Sequence, residues 1–165
     1  MKTLALVAAI LACHSIVAHA AGEITAAYSG MKFQVPDAPV VVASLGQKND
    51  ILLVKYSNAP GKRYISFSTE NSMDKGGCSG SDFFEATLSD ANNNGCNPAS
   101  VASFRAVFVK ESNAETWENT DHAYYYFPSE ERPSFVFFES DSGDLIKLES
   151  DFLDRTGFRQ LLGLD

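Results

Sequence analysis

Residues 76–96 read GGCSGSDFFEATLSDANNNGC, and the interpretation of this stretch decides how the rest of the chain is arranged. Cys78 and Cys96 bracket it, and glycines mark both ends. Asp82 stands three residues before Glu85, which predicts a helix N-terminus with negative charge in its first turn. Phe84, Leu88 and Ala91 recur at helical spacing with Phe83 beside them, an apolar stripe on one face. The run Asn92-Asn93-Asn94-Gly95 ends that helix. Asn97-Pro98 then starts another, with Asn as N-cap and Pro in the first turn. Val101, Phe104 and Phe108 form its inner face, and Arg105 is expected to point outward. Each cysteine thus precedes a helix, so a Cys78–Cys96 bridge would pin two helix entrances together.

Working outward, the segments on both sides read as strands. Upstream, residues 24–28, 31–35, 40–45, 51–57 and 63–68 carry short apolar or alternating runs. Ser29-Gly30, the Pro36–Pro39 turn, residues 46–50 and Asn58-Ala59-Pro60-Gly61 separate them. Downstream, residues 111–121 are polar, acidic and loop-like, with Trp117 the one large apolar residue. Residues 123–127, 135–138 and 145–148 read as three more strands, and residues 152–164 as a terminal helix with Phe158, Leu161 and Leu162 on one face. Short turns make neighbouring strands antiparallel. The expected fold is α+β in a single domain: an antiparallel sheet, two central helices after the fourth or fifth strand, and a C-terminal helix.

The N-terminus reads as a targeting segment. Lys2 precedes a short apolar run, and Ala18-His19-Ala20 fits a signal-peptidase site, so residues 1–20 form a signal peptide and residues 21–165 the mature domain. Ile10-Leu11-Ala12-Cys13 offers a less favoured route, lipidation at Cys13. Cleavage after Ala20 leaves Cys78 and Cys96 alone, an even count for an oxidising compartment. No later stretch is apolar enough for a transmembrane segment. The expected location is periplasmic or extracellular.

Charge is unevenly placed. Residues 21–110 carry eight acids and eight bases, whereas residues 111–154 carry twelve acids against Arg132 and Lys147. Such a field repels the phosphates of nucleic acid and favours a cationic partner.

The residues for common chemistries are sparse. His122 is the one histidine after residue 20, and its neighbour Asp121 would lie on the opposite face of a strand, which argues against a catalytic triad. Ser79 sits in Gly77-Cys78-Ser79-Gly80-Ser81, where a nucleophile elbow needs Gly at position 81. A zinc site lacks ligands. Glu139, Asp141, Asp144, Glu149 and Asp151 offer oxygens for calcium, but the order of Gly143 and Asp144 fails the EF-hand pattern, and a solvated hairpin turn accounts for them. No motif calls for a cofactor.

What remains is an aromatic and acidic surface. Within Tyr124-Tyr125-Tyr126 a strand must show either the odd or the even set outward. Trp117, flanked by acids, either anchors an interface or folds back on the core. The expected partner-binding set is Glu115, Trp117, Glu118, Asp121, Tyr124, Tyr126, Glu130 and Glu131, facing a protein with a basic contact surface. The functional expectation is a non-catalytic inhibitor or immunity-type protein. The alternatives are a small secreted hydrolase using carboxylates of the acidic segment, or an envelope-associated structural protein.

Overall fold

The computed structural model describes residues 23–46, 50–89, 95–109 and 113–165. The expected signal segment, Cys13, Ala91 and the Asn92–Asn94 helix end lie outside the described residues. The chain forms β1 (Glu23–Tyr28), β2 (Met31–Pro36), β3 (Val41–Leu45), β4 (Ile51–Lys55) and β5 (Tyr64–Thr69). Helices α1 (Gly80–Leu88) and α2 (Pro98–Phe108) follow. Then come β6 (Glu115–Glu118), β7 (Ala123–Phe127), β8 (Ser134–Glu139), β9 (Leu145–Ser150) and α3 (Arg155–Leu161). This is the expected α+β architecture.

Seven strands form one antiparallel sheet in the order β3-β4-β5-β9-β8-β7-β6, while β1 and β2 form a separate hairpin. The last strand, β9, lies between β5 and β8 and so joins the part of the chain before the helices to the part after them. Strands β7 and β8 carry Tyr124 and Tyr126, Val136 and Phe138 to one face, where the hairpin and α3 pack with Phe33, Val35 and Phe158. Tyr125 and Phe127, Phe135 and Phe137 go to the other face, against Phe83 and Phe84 of α1 and Val101 of α2. Strands β7 and β8 are therefore covered on both sides, and Tyr124 to Phe127 and Phe135 to Phe138 accordingly run without a charged alternate, as in doubly buried strands.

The helix-entrance junction is built as the sequence suggests. Cys78 and Cys96 are bonded, with Cα atoms 5.0 Å apart. Asn97 N–H donates to the Gly76 carbonyl at 2.8 Å beside them. Gly76 has φ +66°, and a Cβ there would lie 2.8 Å from the Asn97 nitrogen, so both the backbone and the close approach need glycine.

Three local readings are corrected. Helix α1 begins earlier than Asp82: Ser79 is its N-cap, and its side chain accepts from Asp82 N–H. Arg105 does not point freely outward. Its guanidinium donates to the carbonyls of Ala86 and Thr87 and so satisfies the last turn of α1 from the neighbouring helix. Helix α3 starts at Arg155 rather than 152, because Asp154 caps it by accepting from Gly157 N–H. Phe158, Leu161 and Leu162 are buried as expected.

Candidate functional site

The residues expected to bind a partner separate into three groups. Trp117, Tyr124 and Tyr126 belong to the core, at 5%, 2% and 4% exposure. Trp117 lies in the edge strand β6, not in a loop, and its ring stacks on Tyr126 at 4.7 Å. The expected outward set of tyrosines is absent from β7: Tyr124, Tyr125 and Tyr126 are all buried because both faces of that strand are covered. None of the three expected aromatic residues presents a surface.

The second group lies where β7 enters β8. Glu115 accepts from Arg155 Nε at 2.9 and 3.0 Å, and its Oε2 also accepts from Trp117 Nε1 at 2.8 Å. Arg155 and Arg159 stand over the Trp117 ring, 5.8 and 5.6 Å from its centroid. The hydrogen bond from Arg155, and then that from Trp117, holds the Glu115 carboxyl below its usual range. Glu130 and Glu131 are exposed in the β7–β8 loop beside Arg132. They line a groove of about 610 Å³ whose floor includes the Lys147–Glu149 ion pair. Glu149 also accepts from the Tyr64 hydroxyl at 2.6 Å. Acids and bases are interleaved at this end of the sheet.

The third group lies at the opposite end, where the β6–β7 and β8–β9 turns meet the first turn of α1. Asn119 shapes the first turn by accepting from the Asp121 and His122 backbone N–H groups. Glu118 and Asp121 flank that turn and are exposed. Asp141 is exposed in the β8–β9 turn, with Oδ1 3.5 Å from His122 Nε2. Glu139, at the end of β8, accepts from Gly80 N–H at 3.1 Å and so caps α1 from outside the helix. A Cβ at residue 80 would lie 2.6 Å from that carboxylate oxygen, so glycine admits the contact. Among the described residues, none of Glu118, Asp121, Glu139 and Asp141 pairs with a lysine or arginine.

Beneath these carboxylates lies Tyr125. Its side chain is buried, and its hydroxyl has no hydrogen-bond partner among the described residues. Burial first, and then Glu85, Glu139, Glu118 and Asp82 in turn, push this phenol up to about 12. The sequence names Glu118 and Asp121 of this cluster. It names Glu139 and Asp141 only as oxygens for calcium and Tyr125 only within the tyrosine run, and does not join them to this cluster, because they come from β8, the β8–β9 turn and β7. The signal available for Tyr125 is the aromatic run itself, which marks a strand buried on both faces.

The five carboxylates considered for calcium have separate tasks. Glu139 caps α1, Asp144 accepts from Asn71, Glu149 pairs with Lys147, and Asp151 accepts from the Arg63 and Tyr64 N–H groups. Asp141 faces His122. Among the described residues, no three His, Cys, Asp or Glu side chains group as a metal site. No described helix is long and apolar enough to cross a membrane. Compared with protein-family models, with curated proteins and with solved structures, the chain gives no match.

Proposed function

We propose that the protein is an exported, non-catalytic binding protein that docks, through an acidic face, on the basic contact surface of a protein partner and blocks or protects it. The observation that carries this reading is the turn end of the sheet, where Glu118, Asp121, Glu139 and Asp141 stand without lysine or arginine partners among the described residues. Unpaired carboxylates project a field that speeds the approach of a cationic surface and disfavours acidic competitors. Export is supported by the signal-peptide pattern of residues 1–20 and by the Cys78–Cys96 bridge, which persists in oxidising compartments.

The test is binding kinetics on a partner captured from the extracellular or envelope fraction. Glu118→Gln with Asp121→Asn is expected to slow association several-fold at low salt and to flatten its salt dependence. Glu130→Gln with Glu131→Gln, beside Arg132 at the other end, is expected to change association far less. Equal effects from both pairs, or none from the first, would sink the assignment of the contact to the turn end.

A further inference from the structure

Under the exposed carboxylates of the turn end is a cavity of about 110 Å³. Its walls come from the first turn of α1 (Gly80, Ser81, Phe84), the β6–β7 turn (Asp121), β7 (Tyr125) and the end of β8 (Glu139). Taking roughly 30 Å³ per water-sized group, it has room for the last three or four heavy atoms of a side chain.

The chemistry of the walls selects the occupant. A helix N-terminus ordinarily attracts an anion through its free N–H groups. Here three of them are already taken, with Ser81 N–H left over among the described residues: Glu139 accepts from Gly80 N–H, the Ser79 side chain from Asp82 N–H, and the Ser79 carbonyl from Phe83 N–H, so that the Glu139 carboxylate itself stands where an anion would. The cavity is lined besides by the acids Glu139 and Asp121, by His122, and by the aromatic residues Phe84 and Tyr125. The Glu139 and Asp121 side chains make no ion pair with Lys or Arg among the described residues. The Phe84 and Tyr125 rings stack with centroids 5.0 Å apart. Tyr125 is 3% exposed, and its hydroxyl is the one buried side-chain polar atom without a partner among the described residues. A buried hydroxyl with no partner is costly, so this oxygen is a place where a ligand donor gains a hydrogen bond that the protein does not supply. An inorganic cation would need more converging ligands than the described residues offer. An organic ammonium needs fewer: opposite charge, an acceptor, and an aromatic wall against its methylene groups.

We propose that this cavity is a socket for the primary ammonium of a lysine side chain on the protein partner, with Glu139 and Asp121 balancing its charge and the Tyr125 oxygen accepting one of its N–H groups. This rests on the basic-partner reading above and adds to it one anchor residue and its pocket. Carboxylates that only steer leave no saturable site for a small molecule, whereas a socket does.

The experiment titrates the disulfide-intact protein with Nα-acetyl-lysine methylamide and follows backbone amide shifts by NMR. Saturable shifts are expected at Gly80, Asp121, Tyr125 and Glu139, with a dissociation constant on the order of 1 mM, as suits so small a contact. The uncharged norleucine analogue should give none of these shifts. Tyr125→Phe keeps the ring and should weaken binding about tenfold, the loss expected for one hydrogen bond to a charged group. Glu139→Gln keeps an oxygen acceptor for Gly80 N–H, removes the charge, and should weaken binding at least as much. Equal binding by Tyr125→Phe and wild type, equal shifts with norleucine, or shifts that never saturate would overturn the socket. Tighter binding of the arginine analogue would overturn its assignment to lysine. If the probe fails while partner association still depends on Glu118 and Asp121, the socket falls and the proposed function stands. If the probe saturates the cavity while partner association ignores those acids, the socket stands and the steering role falls.

Discussion

The two ends of the seven-stranded sheet are both rich in carboxylates, yet the protein uses them differently. At the β7–β8 loop end, Glu115 is held by Arg155 and Trp117, and Glu149 by Lys147 and Tyr64. At the turn end, Glu118, Asp121 and Asp141 are exposed and have no lysine or arginine counterpart among the described residues. One end spends its acids on holding the edge strand and the terminal helix together. The other leaves them facing solvent. Composition counts both sets alike, and only placement tells a structural carboxylate from one available to a partner.

The largest expected effect belongs to the loop end. Trp117→Ala removes a ring that is 5% exposed, stacked on Tyr126 and covered by two guanidinium groups. It should destabilise the protein by about 3–5 kcal/mol, the usual range for emptying a buried aromatic site. Denaturant unfolding measures this directly. A loss under about 1 kcal/mol would show that Trp117 does not belong to the core, and would return it to the surface role that its acidic neighbours suggest.

The next effect falls at the turn end, through the disulfide that fixes the entrance of α1. Replacing Cys78 and Cys96 together by Ser opens a loop of 18 residues' separation. The loop-entropy model assigns it roughly 3 kcal/mol. Beyond that global loss, hydrogen exchange should rise first at Gly80 and Asp82, because α1 then rests on Glu139 and Ser79 for its N-terminal contacts. Exchange that rises equally around Trp117 would mean that the bridge acts on the whole sheet and not on one end.

Much of this arrangement can be read without coordinates, and the part that cannot has a physical reason. The alternation in Met31–Val35, the turn residues between strands, and Asn97-Pro98 at a helix start are local signals, and each lies where it points. The Cys78–Cys96 bridge follows from counting. The error over the tyrosines arises from assuming that a strand must show one face. Tyr124 to Phe127 and Phe135 to Phe138 contain no polar alternate, which is the pattern of strands covered on both sides. The binding set fails as a set for a geometric reason. Asp121 precedes β7 and Glu130 follows it, and five extended residues separate its ends by roughly 17 Å. Acids close in sequence are not close in space here, because a strand runs between them. Glu139 and Tyr125 could not be joined to Asp121 from sequence, because the register that brings them together is long-range.

The smallest expected effects separate the two ends most cleanly, because they differ in sign. Glu115→Gln removes a carboxylate that Arg155 and Trp117 hold, and it should lower stability at neutral pH by no more than about 1 kcal/mol, since the pair is partly exposed. The carboxyl is held below its ordinary 4.5, so its contribution is complete above that pH and is lost as pH falls through the lowered folded value. Wild type and Glu115→Gln should therefore differ at neutral pH and converge as the solution is acidified below 4.5. Glu118→Gln with Asp121→Asn removes two like charges from a neighbourhood that already holds Glu139 and Asp141, and it breaks no lysine or arginine pair among the described residues. Relief of repulsion should raise stability by a few tenths of a kcal/mol at low ionic strength, and added salt should erase the gain. Thermal melts of both variants across salt and pH make the comparison. A loss of stability in the Glu118/Asp121 variant that salt does not remove would mean that these two carboxylates support the fold as Glu115 does, and neither would then be left over for a partner.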